Sequence, residues 1–178
     1  MTEFIFFDTD CLSSFLWVNK QNLLTLLYPG KIVIPKPVYD ELSYPTITHL
    51  KQGMDYLINN NQASLITIAV DSGEYNLFLN LTTSRAVGQK VLGKGEAAAI
   101  VLAKKYNGII ASNNLRDISL YISNYNLKHK TTGDILMDAF AEGYITEAHG
   151  NNIWALMLLK KRRFGASSFS EYIKTKNK

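Results

Sequence analysis

Apolar positions along this chain change period repeatedly, and each change marks a predicted element. EFIFF at 3–7 is a short unbroken apolar run closing on Asp8, the pattern of a strand buried on both faces. LSSFLWV and NLLTLLY then take helical spacing until Pro29-Gly30 breaks it, and KIVIP at 31–35 reads as a second strand. PVYDEL opens a helix with Pro37 in its first turn, which places Asp40 and Glu41 in the early turns. Residues 46–60 predict a further helix closing at Asn59-Asn60-Asn61, and SLITIAV at 64–70 a third strand. The stretch 71–83 is weakly helical, while 84–94, with Gly88 and Gly93, reads as a loop. From Gly95, EAAAIVLAKKY predicts an alanine-rich helix that stops at Asn107-Gly108, with Gly108 in the left-handed closing conformation. IIA at 109–111 is a fourth strand, NNLRDISLYISNY a helix, and TTGDILMDAFAEGYIT another, before a basic amphipathic C-terminal stretch. No internal repeat interrupts the series.

Strands that alternate with helices through short connections imply an α/β fold, a three-layer α/β/α sandwich around a central parallel sheet. Ligand sites in such sheets lie beyond the carboxyl ends of the strands, where strand order reverses, so acids at strand tips are the candidate functional groups.

Length and composition narrow the class. A chain of 178 residues is expected to form one domain over 1–178, with helices from about 131 to 178 completing it. Hydrophobic residues at 47% and charged residues at 19% exclude a mostly disordered scaffold. The single cysteine, Cys11, has no partner for an internal disulfide and is too little for a thiolate zinc cluster, so a small buried hydrophobe in a reducing, cytoplasmic setting is expected. No stretch reaches the roughly 20 apolar residues of a membrane span. The start, with Glu3, Asp8 and Asp10, lacks the basic region of a signal peptide, and a soluble protein with no membrane association is expected. Charge is uneven: residues 1–89 hold 5 Lys/Arg and 8 Asp/Glu, a net of −3, whereas residues 90–178 hold 14 and 7, a net of +7. A basic half points to a polyanionic partner, because pairing phosphates with Lys and Arg releases counterions.

Four carboxylates stand out by position: Asp8 at the tip of strand one, Glu41 after strand two, Glu96 at the start of a helix and Asp117 after the fourth strand. Each has a structural reading. Asp8 can cap its helix, Glu96 can complement the positive end of its own, Asn114 and Asp117 can form a variant capping box, and Glu41 can be solvated. As a set they converge on one sheet edge, where they would raise one another's pKa unless a cation neutralised them. Hard oxygen ligands of high charge suit Mg²⁺ or Mn²⁺.

FFDTDCLSSF, PVYDEL, GKGEAAAIVLA and IIASNNLRDI resemble, in order and spacing, the four motifs of the PIN domain, a metal-dependent ribonuclease fold known from VapC-type toxins of toxin-antitoxin pairs. TTGDILMDAFAEGYIT and ALMLLKKRRFGASSFSEYI resemble the C-terminal helices of one PIN subgroup, so the likeness covers most of the chain. The resemblance implies catalytic roles for Asp8, Glu41, Glu96 and Asp117, with Asp8, Glu96 and Asp117 holding Mg²⁺ or Mn²⁺ and Glu41 positioning or deprotonating the attacking water. Thr9, Asn114 and Thr131 match supporting polar positions. It further implies RNA as substrate, an antitoxin protein as partner, and a homodimer. The chain departs from the family pattern at Asn113 and Asn114, where many members carry a further aspartate, at Glu96 in place of an aspartate, and at the extra acid Asp10.

Other readings remain open at this point. FIFFDTDCL is similar to the opening of haloacid-dehalogenase phosphatases, with Asp8 as nucleophile and Asp10 as proton shuttle, and GDILMD at 133–138 fits that family's Gly-Asp-x-x-x-Asp motif. Against it, LKHKTT rather than a buried strand precedes that motif, and the first loop lacks Gly-Thr. Gly88 to Gly95 follows phosphate-loop spacing but lacks the Ser/Thr at 95. His49, His129 and His149 have no ligand spacing and are read as surface or polar-contact residues. KKRRF at 160–164 is either an RNA contact or a solvated helix end, and the aromatic residues fall mostly at core spacing. A PIN fold serving as a binding module without catalysis is the third alternative.

Overall fold

The computed structural model describes residues 3–83, 90–162 and 164–176. Five strands form one sheet: β1 (Ile5–Phe7), β2 (Ile32–Pro35), β3 (Ala63–Ile66), β4 (Ile109–Ala111) and β5 (Lys128–Lys130). They pair in parallel throughout, in the order β3-β2-β1-β4-β5. The chain therefore builds outward from β1 to β3 and returns to the other side of β1, so strand order reverses between β1 and β4.

Side chains along each strand enter opposite cores, because successive residues of a strand face opposite ways. Ile5, Phe7, Ile32 and Ile34 pack on one face. They meet α1 (Thr9–Trp17), α2 (Asn22–Leu27), α4 (Thr48–Asn59), α8 (Thr132–Ala141), α9 (Glu147–Leu159) and α10 (Phe169–Lys176), through residues such as Phe15, Leu24, Met54, Leu136, Trp154 and Phe169. Phe6, Val33 and Ile110 pack on the other face, against Leu81, Leu102 and Ile118 of α5 (Gly73–Thr83), α6 (Lys94–Tyr106) and α7 (Leu115–Asn124). This is the three-layer α/β/α sandwich. β1 is only three residues long, yet all three are fully buried, each worth about 2 kcal/mol of transfer free energy. Ala97, Ala98, Ala99 and Ala103 of α6 are likewise buried, and their small side chains let this helix lie close to its neighbours.

Several expectations are corrected. The third strand ends at Ile66 rather than 70, because each of Ala63–Ile66 pairs with one residue of β2 and the ladder stops with β2 at Pro35. A fifth strand forms in LKHKTT, where none is expected; β5 is an edge strand, exposed or half-buried, so Lys128, His129 and Lys130 need no apolar pattern. The helix expected over 46–60 begins with a single 3₁₀ turn, Pro45–Ile47. TTGDILMDAFAEGYIT is helical only to Ala141; Gly143 turns the chain at φ +74°, and Thr146 caps α9 by accepting from the His149 N–H. At the end of α6 the left-handed residue is Asn107, at φ 49°, not Gly108. Gly108 is needed for close approach instead: a Cβ there would lie 2.6 Å from both the Phe4 carbonyl oxygen and the Phe6 ring. The loop expected at 84–94 falls partly outside the described residues, Gly88 of the phosphate-loop spacing included.

Candidate active site

The β1–β4 reversal opens beyond the carboxyl ends of the two strands, and Asp8 stands at its centre. Its backbone N–H donates to Ala111 of β4, and its Oδ1 accepts from the Cys11 N–H at 2.7 Å, so it caps α1 as the sequence allows. Its Oδ2 is buried without a hydrogen-bond partner among the described residues. Burial pushes the Asp8 carboxyl up from 3.8 to about 7; Ser112 and the Cys11 N–H oppose that shift, and Asp10 and Glu96 add to it. The Ser112 hydroxyl accepts from the Asn114 N–H at 3.2 Å and does not complete a hydrogen bond to Oδ2.

Glu41 ends α3 (Lys36–Glu41), whose first turn carries Pro37. Its Oε2 accepts from the Thr9 hydroxyl and its Oε1 from the Gly95 N–H at 3.0 Å. Glu41 is thereby tied to the residues that follow Asp8 and precede Glu96. Glu96, in the first turn of α6, accepts from the Gly93 N–H at 3.3 Å and from Asn114 Nδ2 at 2.6 Å. That same amide nitrogen donates to Asp117 Oδ2 at 2.8 Å, and Lys90 also pairs with Asp117. The Lys90 ammonium and the Asn114 amide hold Asp117 below the usual carboxylate range. Asp8, Glu41, Glu96 and Asp117, with Thr9 and Asn114, thus share one connected neighbourhood.

Thr131 belongs to a different set of contacts. It caps α8, its hydroxyl engages Asp134 and Tyr172, and it bonds none of the four acids. Asp134 and Asp138, the aspartates of the GDILMD stretch, are held by Thr131, Tyr172 and Lys176 and by Tyr28 and Lys130 respectively. A strand does precede that stretch, but it is the partly exposed β5. Asp10 is paired with Arg162 at 2.9 Å and accepts from Asn113 Nδ2 at 2.9 Å. Arg162 of the KKRR run is therefore neither free nor simply solvated, while Arg163 lies outside the described residues. His129 contacts the Ser112 carbonyl at 2.8 Å, the polar role expected of it, and Cys11 is buried in the core.

Lys90, Ser112 and the Gly95 N–H are participants the sequence did not single out for the site, while Arg162 belongs to the KKRRF run read as either an RNA contact or a solvated helix end. Of the three, Gly95 alone carried a local signal, being the glycine directly before Glu96.

Among the described residues, no three side chains of His, Cys, Asp or Glu stand together in metal-binding arrangement. In this arrangement Glu41 is held by Thr9 and Gly95, and Glu96 and Asp117 by Asn114. The donor chemistry nevertheless fits a hard divalent cation: a buried carboxylate oxygen without a partner, an adjoining glutamate and a nearby aspartate, all oxygen ligands.

Residues 4–178 match the family model DUF3368, described as a PIN domain. No curated protein and no solved structure matches the chain. No helix among the described residues is long and apolar enough to cross a membrane. With an all-parallel sheet, acids at its point of reversal and a family match that omits only the first three residues, the chain belongs to the PIN domain family, a nuclease-type fold.

Proposed function

We propose that this protein is a metal-dependent ribonuclease that hydrolyses RNA phosphodiester bonds, acting as the toxin of a toxin-antitoxin pair. The observation that carries the reading is Asp8: a buried carboxylate with one oxygen unpartnered among the described residues, its charged form penalised by burial and by neighbouring acids, at the reversal point of a parallel sheet. Such a group is stabilised in its charged form by a bound cation.

In this reading Asp8, Glu96 and Asp117 hold Mg²⁺ or Mn²⁺. When bound, the ion neutralises charge on the scissile phosphate and lowers the pKa of coordinated water. The chain's own groups do the rest. Glu41 takes the proton of the attacking water on a carboxylate oxygen, and the Thr9 hydroxyl and Gly95 N–H fix the direction of that carboxylate. Asn114 bridges Glu96 and Asp117 and orients both by donating to each. Lys90 and Arg162, now paired with Asp117 and Asp10, are cations within reach of an incoming phosphate. Thr131 supports the fold of α8 and the edge of the site rather than the acids themselves.

The decisive experiment is a Mg²⁺ or Mn²⁺ titration with labelled RNA. Metal-dependent cleavage that Asp8→Asn abolishes while the protein stays folded supports the nuclease; cleavage unchanged by that substitution removes it, and metal-independent RNA binding without turnover favours a binding module. The toxin role requires a protein antitoxin that covers the cleft, tested by co-purification with the product of an adjacent short reading frame. The homodimer is tested by sedimentation. A single domain over 1–178 in the cytoplasm completes the proposal.

A further inference from the structure

Asp10, the extra acid of this chain, lies two residues beyond Asp8 in the first turn of α1. Its charge adds to the upward shift of Asp8, so it stands beside the site. Both of its oxygens are engaged: Oδ1 accepts from Arg162 Nη1 at 2.9 Å, and Oδ2 accepts from Asn113 Nδ2 at 2.9 Å. Through the first of these bonds the end of α9 is tied to the start of α1.

Arg162 is pinned along one edge of its guanidinium. Nη1 donates to Asp10 and, at 3.1 Å, to the Ser13 hydroxyl, while Nε donates to the Lys160 carbonyl at 3.2 Å. The backbone fixes the approach as well. Lys161 turns the chain just past α9 in the left-handed conformation, at φ 60°, where glycine is usual, and the Arg162 N–H then donates to the Met157 carbonyl at 3.2 Å. The other edge is open. No hydrogen bond among the described residues uses Nη2, and no side-chain atom of Arg162 is both buried and unpartnered, so the two Nη2 N–H groups meet solvent. Lys90, on the Asp117 flank, differs: its ammonium is 69% exposed and bonds a single acid.

We propose that Arg162 is a fixed clamp for an RNA backbone phosphate adjoining the one at the acids, and that Asp10 is the positioning residue that aims it. The location of the cut phosphate rests on the nuclease reading above. Because Arg162 bonds Asp10 and not Asp8, the phosphate it meets is a neighbour of the scissile one. A planar guanidinium already ordered on one edge loses little freedom when its other edge donates charge-assisted hydrogen bonds to phosphate oxygens. An ion pair whose carboxylate is 44% exposed adds little to stability, so what Asp10 contributes is the placement of that group.

The test uses the full chain carrying Asp8→Asn, so that binding is read without turnover, and a short fluorescent single-stranded RNA titrated over a series of KCl concentrations. Adding Arg162→Gln is expected to weaken binding about tenfold and to lower the salt slope by about 0.7, the share of one phosphate on a single strand. Arg162→Lys keeps the charge but not the fork, and is expected to keep the slope while regaining only part of the affinity. It carries the comparison if Arg162→Gln does not fold. Asp10 separates aiming from charge. Removal of an acid tightens RNA binding if charge alone matters, whereas Asp10→Ala is expected to weaken it several-fold. Asp10→Asn, whose amide oxygen still accepts from Arg162, is expected to bind at least as tightly as its parent. No binding of the RNA, a slope unmoved by Arg162→Gln, Arg162→Lys that binds like its parent, or Asp10→Ala that binds more tightly overturns the proposal. Wild-type cleavage in Mn²⁺ is scored separately. Arg162-dependent binding with no cleavage overturns the nuclease reading alone, and metal-dependent cleavage with binding indifferent to Arg162 overturns the clamp alone.

Discussion

Glu41 accepts a hydrogen bond from the backbone N–H of Gly95 at 3.0 Å, across 54 residues of sequence. This contact fastens α3 to the first turn of α6 and so sets where two of the four acids stand relative to each other. It also explains why position 95 carries no side chain: a Cβ there would collide with the Thr9 hydroxyl and lie 3.1 Å from Glu41 Oε2 and 3.2 Å from Val38 Cγ2.

Gly95→Ala is accordingly expected to destabilise the protein by about 1–3 kcal/mol through overpacking. It should also lower RNA cleavage by disturbing Glu41 and Glu96 together. Thermal unfolding and a cleavage assay on the same preparation check both; an unchanged melting temperature would remove the steric account.

Asp8 makes a prediction with a sign. Its folded-state pKa, about 7, lies above the ordinary 3.8, so in ion-free protein it contributes a penalty that is absent at low pH and grows as pH rises from about 4 through 7. In chelator, Asp8→Asn should therefore be more stable than wild type at pH 8, and the difference should shrink toward pH 4. Mn²⁺ should raise the wild-type melting temperature at pH 8 and leave Asp8→Asn nearly unmoved. Differential scanning calorimetry at the two pH values, with and without ion, distinguishes these outcomes.

Asn114 sits between Glu96 and Asp117 as a neutral donor to both. Asn114→Asp replaces that donor with a third charge, so the ion-free protein should lose stability, by about 1–2 kcal/mol, while Mn²⁺ binds more tightly. Calorimetric titration with Mn²⁺ measures the second effect, and weaker ion binding in the variant would contradict the assignment of Glu96 and Asp117 as ligands.

Asp134 reports on the C-terminal helices. Burial alone would raise its carboxyl, but hydrogen bonds from Lys176, from the Thr131 N–H and hydroxyl, and from Tyr172 outweigh that and bring it down to about 2. A depressed acid stabilises the fold fully above its unfolded pKa of 3.8, and that contribution is lost as pH falls from 3.8 through 2. The loss amounts to at most about 2 kcal/mol. Lys176→Met should shift the Asp134 titration upward in a carboxyl NMR titration, and an unmoved value would show that Lys176 does not hold it down.

The sequence by itself determined the succession of elements and the chemistry at their ends. EFIFF, KIVIP and IIA are short apolar runs that only a sheet covered on both faces can bury, and Asp8, Glu41 and Glu96 follow from breaks in period that local residues impose, such as Pro37 and Gly95. Such signals are legible because they depend on neighbours within a few residues. The tertiary structure alone decided which distant groups meet. β5 is a strand because β4 offers it a partner, not because Lys128, His129 and Lys130 resemble one. Arg162 reaches Asp10 across 152 residues, Lys90 reaches Asp117, and Asn113 and Asn114, adjacent in the chain, bond different acids. The shift of Asp8 to about 7 likewise belongs to the fold, since it follows from the depth at which β1 carries that carboxylate below the surface. Hydrogen bonds and desolvation act through space, and strand order, which no local pattern encodes, determines what shares that space.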